Sequence, residues 1–155
     1  MHLAELNIGR LVAPTDDPKV AEFMGALDRI NGLGKRMPGF VWMMEGSGEP
    51  GTGNTENCID GDPQFVANLT VWTDVQSLEA FVWNTVHRQF FHRRANWFEH
   101  RDGPQLVFWW IAAGHKPTLG EGLERLDHLQ AHGASDRAFG WADLPGADLF
   151  RDHPR

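Results

Sequence analysis

The chain of 155 residues contains a single cysteine and no tyrosine. One cysteine excludes an internal disulfide and any zinc site built on cysteine pairs. Cys58 itself sits in the polar run ENCIDGD without a neighbouring base and reads as an incidental thiol. Cationic residues are in short supply: 14 Lys and Arg stand against 21 Asp and Glu, for a formal charge of −7. That balance argues against nucleic acid or an anionic membrane as the main partner, and the short cluster His92-Arg93-Arg94 does not reverse it. No apolar run approaches the roughly 20 residues of a membrane span. The opening MHLAELNIGRL carries no basic region, long apolar stretch or small-residue cleavage site, so a cytoplasmic location is expected.

What the chain has in quantity is Phe and Trp, ten and seven residues respectively. Trp offers a large flat surface and one donor, which suits cores, oligomer interfaces and pockets for aromatic ligands alike. The length fits one domain, 1–155, with a core large enough to need no staples.

Local patterns divide the chain into elements. Residues 2–8 alternate as a strand. Asp16 or Asp17 then caps a helix with Pro18 at its first position, and Val20, Phe23, Met24, Leu27 and Ile30 form its apolar stripe. It ends near Asn31–Gly34. Residues 40–44 make a second strand, followed by a glycine-rich loop over 45–63 that exceeds the usual connection and reads as a flap or a spacer. A third strand covers 64–72 and a fourth 105–113, the latter with Phe108 and Trp110 on one face and Trp109 and Ile111 on the other. Thr118 with Glu121 makes a capping box for a last helix edged by Leu119, Leu123, Leu126 and Leu129 and stopped at Gly133. The tail, 134–155, is irregular, with Phe139, Trp141 and Leu144 expected to dock.

Between the third and fourth strands lies SLEAFVWNTVHRQFFHRRANWF. A helical period over this run places Trp83, His87, Phe90, Arg94 and Trp97 on one stripe and the apolar Leu78, Phe81, Val82 and Val86 on another. A dry stripe opposite one that mixes rings with His and Arg predicts one wall of a cavity. Strand–helix–strand–strand–helix–strand with an added helix predicts an α+β fold, the ferredoxin-like split βαβ sandwich. Helices cover one face of such a sheet, and large rings on both faces then predict a homodimer that buries the other.

The stretches LAELNIGRL, FMGALDRINGLGKRMPGFVW, NLTVWTDVQSLEAFVWNTVHRQFFHRRANWFE and LVFWWIAAGHKPTLGEGLERLDHLQAHG, covering most of 3–133, resemble the family DUF3291 of the dimeric α+β barrel superfamily. The resemblance implies a dimeric barrel. That superfamily includes antibiotic-biosynthesis and haem-degrading monooxygenases, which hold flat conjugated substrates between sheet and helices and use Asn, Trp and His there. Some need no cofactor because the substrate activates oxygen. By analogy of fold, Asn7, Trp83 and His87 or His92 are the corresponding residue types in this chain.

The residues add their own reading. His87, if buried mid-helix as a neutral imidazole, would accept a proton from an acidic phenol or enol, or else be a satisfied core histidine. Arg94 would hold a carboxylate or developing negative charge, or pair with Glu99 or Asp102. Asn7 and Asn68 are polar residues in apolar strands, where a ligand or the backbone must satisfy them. Phe90 and Trp97 would be cavity walls. His115 follows the last strand, where ligands often bind, or is an exposed turn residue.

His128 and His132, one turn apart after Glu124, lack the order and further ligands of a metal site, and no metal is expected. GSGEPGTG does not open a helix as a phosphate cradle would. No motif supports flavin or nicotinamide, so no cofactor is expected, with haem open as ligand or substrate. The function expected is a cofactor-independent monooxygenase of an aromatic or polyketide-like small molecule. The alternatives are a non-catalytic small-molecule or haem-binding module, or an interaction protein with a vestigial pocket.

Overall fold

The alternation of the first strand sets the plan of the molecule. The computed structural model describes residues 1–45, 59–84 and 87–144, apart from the side chains of Asp28, Asn84, His87, Phe90 and Phe91. In it β1 (His2–Arg10) is a central strand, antiparallel to β3 (Phe65–Trp72) on one side and to β4 (Leu106–Ile111) on the other. β2 (Phe40–Met43) pairs with the far edge of β3, which makes an antiparallel sheet of order β2-β3-β1-β4. The chain is therefore an α+β protein. Strand pairs that are distant in sequence sit side by side, and helices make the crossovers.

α1 (Ala21–Lys35), entered through a 3-10 turn at Pro18–Val20, links β1 to β2, and α2 (Val75–Asn84) follows β3. Asp17 is the residue that starts this entry: its carboxylate accepts the Lys19 backbone N–H at 2.8 Å, with Pro18 next to it. Both helices lie over the face that carries Leu3, Trp72, Leu106 and Phe108, with Leu78, Phe81, Val82 and Trp83 from α2 and Ile30 and Leu33 from α1 completing that core.

The opposite face carries Ala4, Leu6, Leu69, Val71, Val107 and Trp109. It is not bare. α4 (Leu119–His132) lays Leu119, Leu123, Leu126 and Leu129 on it, and Ile59 packs into the same core, with Trp42 and Met44 partly buried at its β2 end. Close approach requires Gly122, since a Cβ there would stand 2.9 Å from Leu6 Cδ2 and 3.3 Å from the Trp109 ring. Thr118 caps α4 by accepting the Glu121 backbone N–H at 3.1 Å, and Gly133 ends it at φ 77°. The large rings on both faces of β4 are thus covered within one chain, so the inference that a second subunit must bury this face no longer follows.

The predicted helix over 77–98 also differs. α3 (His87–His92) ends early and a 3-10 turn, Arg94–Asn96, takes over. A 3-10 turn advances three residues per turn rather than 3.6, so the stripe from Trp83 to Trp97 is not one continuous helical face. Residues 46–58, with Cys58 and most of the predicted flap, and residues 145–155 of the tail lie outside the described residues. Phe139, Trp141 and Leu144 do dock on the α1–α2 side.

Candidate functional site

Odd-numbered residues of β1 point toward α1 and α2, and the register aligns them with matching residues of β3. Leu3 faces Trp72, Glu5 faces Thr70, Asn7 faces Asn68, and Gly9 faces Val66. Two successive cross-strand pairs, Glu5 with Thr70 and Asn7 with Asn68, are therefore polar in the middle of a sheet face whose neighbours are apolar. Above them, between sheet and helices, opens a cavity of about 810 Å³. All four residues line it. The volume lies in the range of small-molecule sites, as does the composition: mainly apolar walls with a few convergent polar groups.

α1 contributes Phe23, Leu27, Ile30 and Asn31 to the walls, and α2 contributes Leu78, Phe81 and Val82. The segment after α3 closes one end with Arg94, Trp97 and Phe98. That segment is anchored to β1 by backbone bonds, Val12 N–H to Trp97 O at 2.9 Å and Glu99 N–H to Arg10 O at 2.8 Å. Phe98 lies directly over Gly9, where a Cβ would come within 2.6 Å of Phe98 Cδ1; only a glycine admits the ring. Trp97 is buried against Phe23, their rings 5.8 Å apart.

The polar floor is internally bonded. Thr70 Oγ1 donates to Glu5 Oε2 at 3.0 Å and accepts from Trp72 Nε1 at 3.0 Å, while Asn7 Nδ2 donates to Glu5 Oε1 at 2.7 Å. Glu5 is 6% exposed and Thr70 4%. A buried carboxyl is costly unless hydrogen-bonded, and these donors answer that requirement.

Around the outside run ion pairs. Arg10 bridges Asp62 at 2.8 Å and Glu99 at 2.6 Å; Arg93 holds Glu22 through two bonds of 2.7 and 2.6 Å and stacks its guanidinium 5.0 Å from the Trp97 ring. Hydrogen bonding from Arg10 holds the Asp62 carboxyl below its ordinary value, and hydrogen bonding from Arg93 does the same for Glu22. These contacts tie α1, β1 and the 93–99 segment together around the cavity.

Of the residues singled out from sequence, the structure brings Asn7, Asn68, Arg94 and Trp97 to this one cavity. Trp83 goes elsewhere: it is a core residue of α2, its ring 5.9 Å from the His92 imidazole, and does not line the cavity. His87 and Phe90 sit on α3, but their side chains lie outside the described residues. His115 is not at this site. It is exposed beyond β4, its Nε2 2.8 Å from Glu121 Oε2, while Glu121 Oε1 accepts from Trp109 Nε1 at 3.2 Å on the α4 side of the sheet. Burial pushes the Glu121 carboxyl up, but the bonds from His115 and Trp109 outweigh it and hold the group below its ordinary value. Glu121 thus spends its side chain on these two partners.

Glu5 and Thr70 were not singled out, although the signal existed: each is a polar residue on the same alternating stripe as an Asn. The rings of His128 and His132 lie 4.7 Å apart and tilted by 46°, and among the described residues no group of three potential ligands gathers around a metal position. Among the described residues no helix is long and apolar enough to cross a membrane.

Fold and site together define an α+β domain with a small-molecule-sized cavity between its sheet and two helices. The chain belongs to the family described as Domain of unknown function (DUF3291), whose model matches residues 2–153. No curated protein matches it.

Proposed function

We propose that the protein takes up a flat, largely apolar small molecule, aromatic or polyketide-like, in the cavity between sheet and helices, and acts on it as a cofactor-independent monooxygenase. The observation that carries the reading is the cavity itself: about 810 Å³, walled by Phe23, Leu27, Phe81 and Trp97, with the polar pairs Glu5–Thr70 and Asn7–Asn68 on its floor. Apolar walls supply affinity and the floor supplies orientation. In the proposed reaction an activated CH₂ of the substrate becomes C=O with dioxygen as oxidant. One oxygen atom enters the substrate, and its two hydrogens leave with the other as water, so no external reductant is needed. His87 is the proposed proton acceptor.

Oxygen uptake with hydroxylated polycyclic substrates, with product mass, tests this. The expected product has gained one oxygen and lost two hydrogens, and His87→Ala is expected to abolish uptake while keeping the fold. Binding without uptake would remove the catalytic half.

A second reading, a non-catalytic binding module, is favoured by the floor network, whose described members bond one another as orienting groups do. The order β2-β3-β1-β4 with α1 and α2 as crossovers supports a ferredoxin-like protomer and, through the family resemblance, a dimeric α+β barrel. With α4 on the outer face, we place that dimer contact around α4 or along the β2 edge, where Val41 is exposed.

A further inference from the structure

We propose that His128 and His132, at the end of α4, form a two-nitrogen chelate for a late first-row divalent ion of the nickel, copper or zinc type. The pair stands on the helix that covers the sheet face opposite the cavity, so the proposal is independent of the reading above.

Residues four apart on a helix are neighbours on one face. Here the two imidazole rings lie 4.7 Å apart, centre to centre, and are tilted by 46°. An ion about 2.0–2.1 Å from one nitrogen of each ring, with the two bonds meeting at about 90–110°, places the ring centres about 4.5–5.2 Å apart. The pair therefore already has the separation that a shared ion requires. Imidazole suits zinc, copper and nickel, whereas magnesium and calcium take oxygen ligands.

The surroundings favour a cation in two ways. The pair occupies the last turn of a 14-residue helix that Gly133 ends, where the negative end of the helix dipole lies. Burial, and next the His132 imidazole, hold the His128 ring below its ordinary value, which keeps its lone pair available at neutral pH. Two arginines stand nearby and oppose a cation, but Arg137 is paired with Glu124, and Arg125 donates to the Arg137 carbonyl oxygen at 2.8 Å. Among the described residues no third ligand joins the pair. The remaining positions on the ion fall to water, which makes an open, exchangeable site rather than a closed structural one.

Isothermal titration calorimetry with Ni²⁺, in a non-chelating buffer at neutral pH, tests it. The wild-type protein is expected to bind Ni²⁺ saturably and to show no binding of Mg²⁺. His132 is exposed, so His132→Gln leaves the fold alone. That variant is expected to bind Ni²⁺ about tenfold or more weakly, since a second imidazole no longer binds from within the same molecule. His115→Gln, which removes the imidazole paired with Glu121, is expected to bind as the wild type does. No saturable binding to the wild type, an affinity that survives His132→Gln, or an equal loss in both variants would overturn the site.

Discussion

Thr70→Val is the sharpest probe of the buried floor. Valine keeps the shape and the β-branch but removes the hydroxyl that links Trp72 to Glu5. Trp72 is 1% exposed, so its indole N–H loses the partner it has in Thr70 with no ready access to water. A buried donor left unsatisfied costs about 1–3 kcal/mol, and the lost hydrogen bond to Glu5 about 0.5–1.5 kcal/mol. Against these, the added methyl gains about 0.8 kcal/mol. Glu5 keeps its bond from Asn7, which limits its share of the loss. The net expectation is a destabilisation of about 1–4 kcal/mol. Thr70→Ser, which keeps the hydroxyl and loses one methyl, is expected to cost only about 0.5–1.5 kcal/mol. Urea unfolding followed by tryptophan fluorescence measures both at once, given an unchanged m-value. If Thr70→Val falls within about 0.5 kcal/mol of wild type, as a surface substitution would, the converging hydrogen-bond chain is wrong.

Other expectations follow from the packing and the charges. Gly9→Ala places a Cβ 2.6 Å from Phe98 Cδ1 and should cost about 1–3 kcal/mol by displacing a ring of the cavity wall; an unchanged melting temperature would contradict that contact. Leu126→Ala, at a site 2% exposed between α4 and the sheet, should cost about 2–5 kcal/mol at any protein concentration, whereas a near-neutral result would mean that α4 does not cover the sheet. Stability should fall in two steps with acid. Burial holds the His128 imidazole below its ordinary value of 6.5, with His132 adding to it, so the folded state binds fewer protons and stability is lost as pH falls below 6.5; His128→Gln should remove that step. Glu22 and Asp62, held below ordinary values of 4.5 and 3.8 by their arginines, add stability at neutral pH that is lost further into acid, and salt should weaken this second step, more for the exposed Glu22–Arg93 pair than for the half-buried Asp62–Arg10 pair. Urea midpoints across pH that show no fall below 6.5 would contradict the first assignment.

Much of this architecture is legible in the residues, and the limits have physical causes. Caps are local chemistry, so Asp17 before Pro18 and Thr118 three residues before Glu121 mark helix starts where the structure has them. The alternation Phe108-Trp109-Trp110-Ile111 separates two faces, and the structure divides those residues between two cores in that way. Periodicity says that Leu119, Leu123, Leu126 and Leu129 share a face, but not what the face meets. It meets the sheet of its own chain, and so a bare face predicted from β4 turned out covered. The stripe from Trp83 to Trp97 assumed 3.6 residues per turn throughout; the 3-10 turn at Arg94–Asn96 sends Arg94 and Trp97 to the cavity, while Trp83 stays in the core. Glu5 shares the alternating stripe of Asn7, but its place in a floor depends on strand pairing. A polar residue in a strand gains meaning from its cross-strand neighbour, and only the register that sets Glu5 against Thr70 and Asn7 against Asn68 turns four scattered residues into a floor.

The central claim is that this cavity binds a small flat molecule, and the most direct measurement is ¹H–¹⁵N chemical-shift mapping during titration with 1-naphthol. The account predicts saturable shifts concentrated on Asn7, Asn68, Leu27 and the Trp97 indole, with Leu119–His132 on the far side of the sheet unmoved. Shifts confined to α4, or none at saturating ligand, would contradict it.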